Sequence, residues 1–351
     1  MTAEDALGKH RIGQEQEGVD VRVLVTGGAG FLGLYLTEQL VERGDHVRCL
    51  CRSSYQELTS LGVETIQGDL RDAQRVLTAS QGCDIVFHTA GVAGIWGPKK
   101  TFFEINTLGT QNIIEACWKN QVPRLVYTSS PSVTFDGTDQ NGVNESVPYP
   151  SEWLCHYPHS KAIAEQQVLA ANGQQGLLTC ALRPHLIWGP RDRHLIPRLL
   201  ERARHGKLRR VGDGRNLVDM IYVENAADAH VLAAAALLPN APVCGQAYFI
   251  SQGEPVNCWD WINEILTLAN LPPINKSISL SSAWRIGSIL ETAYRIAGIQ
   301  REPRMTRFLA AQLATNHFFD ISRARQDFGY RVRISTETGM KRLRSALESE
   351  S

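Results

Sequence analysis

Near the start of the chain lies Val23-Leu-Val-Thr-Gly-Gly-Ala-Gly-Phe-Leu-Gly33, which joins a short apolar strand to a helix through a glycine-rich turn. Gly27 allows a tight turn, Gly30 lets backbone N–H groups approach an anion, and Gly33 permits close packing of the helix on the strand. An anion at such a turn faces the positive end of the helix. Because the motif opens a series of strand and helix units, it indicates a pyrophosphate-binding turn more than an ordinary strand-to-helix turn.

Beyond this turn, short apolar runs rich in β-branched residues alternate with longer amphipathic segments, which is typical of a parallel sheet. The predicted strands are Val21–Thr26, Val47–Cys51, Val63–Gln67, Ile85–Thr89, Leu125–Ser129 and Leu178–Arg183. The predicted helices are Gly30–Arg43, Asp72–Ser80, Phe102–Asn120 and His159–Ala171. Right-handed crossovers between these strands give an α/β fold with a doubly wound parallel sheet of the Rossmann type.

After Pro184 the pattern changes to long helical stretches separated by Pro and Gly, which predicts a smaller, mainly helical C-terminal substrate lobe. Helix Val223–Leu238 and strand Ala247–Ser251 are predicted to return to the sheet. The expected organisation is a flexible tail over residues 1–20, a dinucleotide-binding domain over 21–185 joined by 223–251, and a substrate-binding lobe over 186–222 and 252–347.

The charge balance argues against a polyanionic partner. The sequence has 36 Lys and Arg against 36 Asp and Glu, so no net field attracts nucleic acid. Its eight scattered cysteines form no CxxC pair, which is typical of a reduced, cytoplasmic protein, and we expect no metal ion at the site. Residues 1–20 lack the apolar core of a signal peptide, and charges interrupt the apolar stretch Ser277–Ile299, so we expect no transmembrane segment.

The second predicted strand ends in Cys51 and Arg52, where a protein that binds NAD usually presents a carboxylate to the ribose 2′-hydroxyl. A guanidinium can bind a 2′-phosphate through several charge-assisted hydrogen bonds. The sequence therefore predicts NADP(H) as the cofactor. The alternative is that Arg52 is only a solvated charge at a strand end, which would leave the choice of cofactor open.

Further cofactor contacts are predicted where strands end, because ligands bind at the carboxyl ends of such sheets. Asp69 is expected to bind the adenine amino group, and the small residues Ala90 and Gly91 let the backbone pass close to the cofactor. Taken singly, each of these residues is more often a turn residue. The predicted set is Gly27, Gly30, Phe31, Leu32, Arg52, Asp69, Leu70, Thr89, Ala90, Gly91, Thr128, Tyr157 and Lys161.

Tyr157 and Lys161 stand four residues apart, which places both side chains on one face of a helix. Reduction of a ketone requires a proton donor for the developing alkoxide, and a nearby ammonium favours tyrosinate and so lowers the tyrosine pKa. We predict Tyr157 as the general acid or base and Lys161 as its partner. Ser130, at the end of the fifth strand, is predicted to bind the substrate oxygen. A surface helix would show the same Tyr–Lys spacing by chance.

Together these motifs resemble the extended short-chain dehydrogenases, and the likeness covers almost everything from Val21 to about Leu347. It rests on the glycine-rich turn, Gly68-Asp-Leu70, Ser130, Tyr157-x-x-x-Lys161 and Leu182-Arg-Pro184. Within that superfamily, Ala93-Gly-Ile-Trp-Gly97, Tyr127-Thr-Ser-Ser-Pro-Ser-Val133 and Leu182-Arg-Pro-His-Leu-Ile-Trp-Gly-Pro190 are similar to the 3β-hydroxysteroid dehydrogenase branch.

The resemblance implies an NADPH-dependent reduction of a β-keto acid with two long alkyl chains to a 2-alkyl-3-hydroxyalkanoate, as in bacterial long-chain olefin biosynthesis. It also implies that Pro184 and Leu186 lie beside the nicotinamide and that Asn106 supports the active-site helix. By analogy the protein forms a homodimer. Two alternatives remain open, namely a sterol or steroid 3β-dehydrogenase, which in some relatives also decarboxylates, and a non-catalytic NADP-sensing or scaffold protein.

The substrate is expected to be a hydrophobic small molecule, because apolar side chains follow the strand ends that line the cleft. The predicted substrate contacts are Trp96, Val133, Ile187 and Trp188. Each is equally compatible with packing between the two lobes. The amphipathic stretch around Trp284, Ile289 and Tyr294 is compatible with a lid over a lipid pocket, with peripheral membrane or multienzyme contact, or with a packing helix.

Overall fold

The computed structural model describes residues 21–349, so the predicted flexible tail lies outside the described residues. The strands are β1 Arg22–Thr26, β2 His46–Cys51, β3 Glu64–Gln67, β4 Ile85–His88, β5 Arg124–Thr128, β6 Gln140–Val143, β7 Leu178–Pro184, β8 Ile187–Trp188, β9 Arg210–Val211, β10 Leu217–Val218, β11 Ile221–Tyr222, β12 Gln246–Ile250, β13 Val256–Asn257, β14 Ser277–Ile278 and β15 His317–Phe319.

The α-helices are α1 Phe31–Glu42, α2 Gln56–Ser60, α3 Ala73–Ser80, α4 Lys99–Phe102, α5 Gly109–Lys119, α6 His156–Ala170, α7 Leu195–Arg204, α8 Val223–Ala236, α9 Cys258–Leu268, α10 Leu280–Ile296, α11 Arg307–Gln312, α12 Ser322–Phe328 and α13 Thr336–Ser349. A π-helix spans Phe103–Leu108, and short 3-10 turns span Pro131–Thr134 and Gln174–Gly176.

The centre of the molecule is a seven-stranded, fully parallel sheet in the order β12-β7-β5-β4-β1-β2-β3. The strand order reverses between β1 and β4, and in such sheets the cofactor lies across the carboxyl ends of the strands at that point. We call the edge of the sheet where the strands end the carboxyl edge. The predicted doubly wound α/β fold is confirmed.

The central strands are mostly apolar and buried along nearly their whole length because helices cover both faces of the sheet. β4, Ile85–His88, is buried at all four positions, and β5 is buried from Leu125 to Thr128. Helices α1 and α8 pack together on one face, and α3, α5 and α6 cover the other. Packing on both faces fixes the position at which each strand ends. It therefore also fixes the positions of the residues at the carboxyl edge.

The second lobe is mainly helical but also contains short strands that the sequence pattern did not indicate. β13, β10, β15 and β6 form a small mixed sheet, and two further pairs of strands join β11 to β8 and β14 to β9. These strands are two to four residues long, too short to show a recognisable alternation of apolar and polar side chains. The lobe has its own core, in which Trp188, Tyr222 and Trp261 pack edge to face.

Two helices differ from their predicted bounds. The predicted helix Phe102–Asn120 is divided into α4, the π-helix and α5, and the active-site helix α6 begins at His156, three residues before the predicted start. The earlier start of α6 places Tyr157 within the first helical turn. Within residues 21–349, every helix is too short or too polar to span a lipid bilayer.

Candidate active site

The glycine-rich turn ends β1 and starts α1, and its glycines are required by close backbone contacts. A Cβ atom on Gly33 would lie 2.1 Å from the carbonyl oxygen of Gly27, and one on Gly27 would lie 2.9 Å from the Cα of Ala90. Gly27 also has a φ of 73°, in the left-handed region that favours glycine. Gly28, to which the sequence analysis gave no role, packs so closely on Cys49 that a Cβ would lie 2.3 Å from its sulfur.

The first turn of α1 is open to an anion. Gly30 is the N-cap residue and makes no side-chain cap, and no acidic residue occupies the first turn. The N–H groups of Phe31, Leu32 and Gly33 belong to that turn, where a helix offers no internal acceptors. Free N–H groups and the helix dipole together suit a pyrophosphate.

At the end of β2, a neutral thiol and an exposed cation occupy the place where a carboxylate would bind a ribose. Cys51 is buried, and burial raises the pKa of its thiol, which also accepts a hydrogen bond from the backbone of Ala29. Arg52 is exposed beside it. Asp69, beyond β3, is held by Arg71 through three hydrogen bonds of 2.9 Å, which keep its pKa below the usual value.

The end of β4 is fixed by a buried chain of hydrogen bonds. Thr26 bonds Nδ1 of His88 at 2.7 Å, and Nε2 of His88 bonds Thr110 at 2.9 Å. Thr89 donates to the carbonyl oxygen of Thr26 at 2.7 Å, and the N–H of Ala90 donates to the Thr26 hydroxyl. Burial lowers the pKa of His88 to about 3, so it stays neutral and acts as a structural bridge.

Asn106 connects this strand end to the active-site helix. Its amide group exchanges hydrogen bonds with the backbone of Val92, at 2.8 and 3.1 Å, and donates to the Ser160 hydroxyl at 3.0 Å. The residue lies in the π-helix, which widens the turn and carries a functional side chain in many proteins. Asn106 is therefore placed where the resemblance implied a supporting residue.

Lys161 is buried at the carboxyl edge. Its Nζ donates to the carbonyl oxygen of Thr128 at 2.6 Å and lies 4.2 Å from the centre of the Tyr127 ring. A Cβ on Gly91 would lie 3.8 Å from this Nζ, so the ends of β4 and β5 and helix α6 converge here. Burial lowers the pKa of Lys161 to about 7, against the opposing effect of Glu165.

Tyr157, one helical turn before Lys161 on α6, lies close to Ser130. Burial raises the pKa of Tyr157, and the nearby Ser130 hydroxyl opposes that rise. The direction differs from the expected lowering, because the loss of solvent around the phenol dominates and Lys161 is not among the groups that shift this pKa. A raised pKa keeps the phenol protonated at neutral pH and suits it to donate a proton. The Ser130 hydroxyl also bonds that of Ser132 at 2.9 Å.

A buried ion pair anchors the next turn of α6. Arg183, on β7, donates to Glu165 at 2.9 and 2.6 Å, and Tyr149 donates to the same carboxylate at 2.6 Å. Glu165 lies one helical turn beyond Lys161 on the same face. The pair ties the helix to the sheet and so limits the movement of Lys161.

Two cavities lie at this end of the molecule. The first, which we call the Tyr157 cavity, has a volume of about 160 Å³, and its walls include Ser130, Tyr157, Pro184, Leu186, His185 and His317. Leu186 has a φ of 42°, an uncommon conformation for a residue other than glycine. Residues that the sequence assigned to the catalytic group and to the nicotinamide side thus share one cavity.

The second cavity, which we call the Trp96 cavity, has a volume of about 600 Å³ and is lined at the start of α6 by Cys155, His156 and His159. Ile95, Trp96, Phe102, Trp153 and Leu154 form its apolar walls, and Lys99, Arg295 and Arg307 supply charge. A small apolar cluster borders it, in which the rings of Phe135 and Phe308 meet edge to face and Trp284 packs against them.

Helix α10 covers the Trp96 cavity. Trp96 donates from Nε1 to the carbonyl oxygen of Ile299 at 3.0 Å and meets the Tyr294 ring edge to face. The outer side of the helix is apolar and exposed, with Ile289 exposed at 68% and Ile296 at 84%. The stretch that was predicted to be a lid, a membrane contact or a packing helix therefore packs against the protein on one side and is exposed to solvent on the other.

The predicted substrate contacts fall into two groups. Trp96 lines the larger cavity, whereas Val133 and Trp188 are fully buried and line neither cavity. Ile187 is half-buried against the core of the sheet domain. The sequence analysis missed His185 and His317 in the Tyr157 cavity. The place of His185 directly after the β7 motif could have indicated it, but His317 lies 132 residues further on.

Comparison with known proteins agrees with this geometry. Residues 24–280 match the 3-beta hydroxysteroid dehydrogenase/isomerase family. The chain belongs to that family. Its members are short-chain-type oxidoreductases that depend on NAD(P), so the chain is an oxidoreductase.

The curated relatives include two reductases and a group of sterol enzymes. The chain is 51% identical to the 2-alkyl-3-oxoalkanoate reductase of Shewanella oneidensis, over 92% of this chain and 85% of the relative. It is 49% identical to the protein of the same name from Stenotrophomonas maltophilia, over 93% and 99%. It is also 35% identical to the mouse sterol-4-alpha-carboxylate 3-dehydrogenase, decarboxylating, over 91% and 88%.

Solved structures share the fold across nearly the whole chain. The crystal structure of gox2253 matches with a TM-score of 0.76 and 26% identity, over 95% of this chain and 99% of that one. MoeE5, solved in complex with UDP-glucose and NAD, matches with a TM-score of 0.73 and 24% identity, over 94% and 99%.

Proposed function

We propose that the protein reduces a 2-alkyl-3-oxoalkanoate to the 2-alkyl-3-hydroxyalkanoate with NADPH. The observation that carries this proposal is the convergence of Ser130, Tyr157 and Lys161 at the carboxyl edge, next to a cavity and opposite the glycine-rich turn. The identity of about half of all residues to two reductases of this name supports the choice of substrate.

The residues around the turn fit a dinucleotide. A side chain at Gly27 or Gly33 would collide with backbone atoms, and the N–H groups that open α1 are available to phosphate oxygens. When bound, the cofactor supplies the hydride for the carbonyl carbon. Lys161 has ammonium hydrogens to spare beyond its bond to Thr128 and would hold the ribose hydroxyls.

The chain's own residues then stabilise and protonate the carbonyl oxygen of the substrate. Ser130 donates a hydrogen bond to the carbonyl oxygen, where negative charge develops. Tyr157 donates its phenolic proton to that oxygen as the carbonyl becomes a hydroxyl. Burial keeps this proton on Tyr157 before the reaction, and the fixed lysine stabilises the tyrosinate left behind.

We further propose that the protein prefers NADP(H) to NAD(H) as its cofactor and that the two lobes contribute different parts of the site. Cys51 is neutral and Arg52 is exposed, so a 2′-phosphate would meet a guanidinium and no carboxylate at that strand end. The sheet domain holds the cofactor and much of the substrate, and the second lobe adds side chains from α10 and α11 to the walls of both cavities.

The Trp96 cavity suits the alkyl chains of the proposed substrate. Its walls combine aromatic and aliphatic side chains with charged ones, and burial of an alkyl chain against the apolar part contributes about 25 cal/mol per Å². A long chain can therefore be held there without a charged clamp.

A direct assay tests the proposal. Purified protein with NADPH and a 2-alkyl-3-ketoacid should consume NADPH, whereas NADP with a 3β-hydroxysterol should give little turnover. Tyr157→Phe should lower kcat by about 100- to 10,000-fold, the usual contribution of a general acid, with NADPH affinity nearly unchanged. Unchanged turnover in this variant would refute the assigned mechanism.

A sterol dehydrogenase is the second candidate, favoured by the relatives of about 35% identity that act on sterol carboxylates by name. It uses the same residues in the oxidative direction. Efficient turnover of the sterol and none of the keto acid would replace the first proposal with this one. Binding of NADPH without turnover of either would favour a non-catalytic protein.

A further inference from the structure

The Tyr157 cavity contains a buried chain of polar groups that the proton transfer does not use. Nε2 of His185 lies 2.7 Å from Nδ1 of His317, and Nε2 of His317 lies 2.7 Å from the carbonyl oxygen of Gln312. A carbonyl oxygen only accepts hydrogen bonds, so Nε2 of His317 must carry its proton. Nδ1 of His317 then accepts from Nε2 of His185.

This chain of hydrogen bonds uses Nε2 of His185 and leaves its other ring nitrogen, Nδ1, available. No described residue hydrogen-bonds its Nδ1, and that atom is not among the fully buried polar atoms that lack a partner. His185 also forms part of the cavity wall, together with Ser130 and Tyr157. Nδ1 therefore retains accessible surface, and this cavity is the opening that His185 lines.

The wall of the cavity contains polar groups but no fixed charge. None of the described residues in its wall is Asp, Glu, Lys or Arg. Burial and the neighbouring His317 hold the pKa of His185 well below its usual value, so the ring is neutral when the cavity holds no anion. An anion next to Nδ1 would favour the imidazolium, which keeps the bond to His317 and donates a second one into the cavity.

The proposed substrate brings an anion to this place. In a β-keto acid, one carbon separates the reacting carbonyl carbon from the carboxylate. When the carbonyl oxygen lies at Ser130 and Tyr157, the carboxylate must therefore lie close by. The volume of about 160 Å³ accommodates such a head group, since one water molecule occupies about 30 Å³.

We infer that His185, held by His317 and the Gln312 carbonyl, binds the substrate carboxylate and makes the enzyme select keto acids over neutral ketones. This inference rests on the proposed function. It assigns His185 a role in positioning and specificity, because the proton transfer to the carbonyl oxygen remains with Tyr157.

The arginines of the Trp96 cavity are a less suitable site for the carboxylate. Glu291 already accepts hydrogen bonds from the N–H, Nε and a terminal nitrogen of Arg307, at 2.6, 3.0 and 2.9 Å. Arg295 lies 3.5 Å from the same carboxylate. The charge of these arginines is thus partly neutralised within the protein.

The test compares an acid with its ester. The 2-alkyl-3-hydroxyalkanoate and its methyl ester, with identical chains, are oxidised with NADP, and kcat/KM is read from the formation of NADPH. The hydroxy acid is used because it does not lose CO₂ as a β-keto acid does. The wild-type enzyme should prefer the acid.

His185→Phe should lower kcat/KM for the acid by about 10- to 100-fold, the usual effect of losing a hydrogen bond to a charged group. The ester should be little affected. His185→Gln keeps a donor and should restore part of the preference for the acid. Arg307→Gln serves as the control and should keep the acid-to-ester ratio, and NADPH affinity should be retained in every variant.

The outcomes separate this inference from the proposed function. An equal fall for acid and ester in His185→Phe, or loss of the preference only in Arg307→Gln, would overturn the assignment of His185. A wild-type enzyme that oxidises acid and ester equally would also overturn the assignment of His185, but it would leave the proposed function intact. A wild-type enzyme that oxidises neither would overturn both.

Discussion

The cofactor side and the substrate side of the site are built from different kinds of contact. On the cofactor side, backbone meets backbone, as where Gly33 packs on Gly27 and Gly27 on Ala90. On the substrate side, long side chains such as Trp96 and Tyr294 meet beside a cavity, and helix α10 exposes Ile289 and Ile296 on its outer face. Backbone contacts tolerate almost no added volume, whereas a cavity lined by side chains can adjust to different ligands.

The largest expected effect tests the rigidity of the cofactor side. Gly33→Ala should destabilise the protein by about 3 kcal/mol or more, because the new Cβ would overlap the Gly27 carbonyl and force α1 away from β1. Gly44→Ala is the control, since its Cβ would have no neighbour within 4 Å and only the left-handed backbone costs about 1 kcal/mol. Urea unfolding measures the free energy of unfolding of both variants. Equal losses of stability in the two would contradict the difference between the cofactor side and the substrate side.

The next effect concerns the buried lysine. With a pKa of about 7 in the folded protein and about 10.4 in the unfolded chain, Lys161 binds more protons when unfolded throughout the intervening pH range. Its burial therefore costs most below pH 7, and stability rises with pH by up to about 1.4 kcal/mol per unit above it.

Lys161→Met should remove this rise. Urea unfolding of wild type and variant at several pH values between 7 and 9 measures it, and the difference between the two profiles isolates Lys161 from other titrating groups. Parallel profiles would show that Lys161 keeps its ordinary pKa, and the cofactor side would then be more open to solvent than described.

Arg52 is an exposed exception on the cofactor side. Arg52→Ala should lower the preference for NADPH over NADH by about 10- to 100-fold through loss of charged hydrogen bonds. Arg43, which pairs with Asp45 just before β2, is the matched control and should leave the preference unaltered when replaced by Ala. An unaltered preference in Arg52→Ala would remove the basis for predicting NADP(H).

The smallest effect is expected on the substrate side. Trp96→Ala should raise the KM of a long-chain substrate about tenfold, in keeping with the lost apolar contact. The KM of a short-chain analogue should stay the same, because a short chain would not reach this wall. Steady-state kinetics with a series of chain lengths checks this, and an equal effect on all lengths would place the chains elsewhere.

Sequence reasoning succeeded where local patterns carry the information. The alternation of strands and helices predicted the fold class, and the glycines at 27, 30 and 33 predicted the turn that begins α1. The four-residue spacing of Tyr157 and Lys161 indicated their common face on α6. These features depend on backbone geometry within a few residues, which the sequence expresses directly.

Features that depend on distant contacts could not be predicted. The pairing of His185 with His317 joins two lobes, and the π-helix around Asn106 reflects its packing between Val92 and Ser160. Trp188 follows a strand end like a cleft residue but is buried by Tyr222 and Trp261. Which apolar residues line a cavity and which fill a core is decided by the partners they meet.

The edge strand β12 and helix α8 are encoded after the first segment of the second lobe, yet they complete the sheet beside β7 and α1. A fragment that stops after β7 would present a long, apolar, unpaired strand to solvent, which is a template for intermolecular pairing. Two halves of the chain that are expressed separately should therefore aggregate. During synthesis, the sheet can be completed only after β12 has been made.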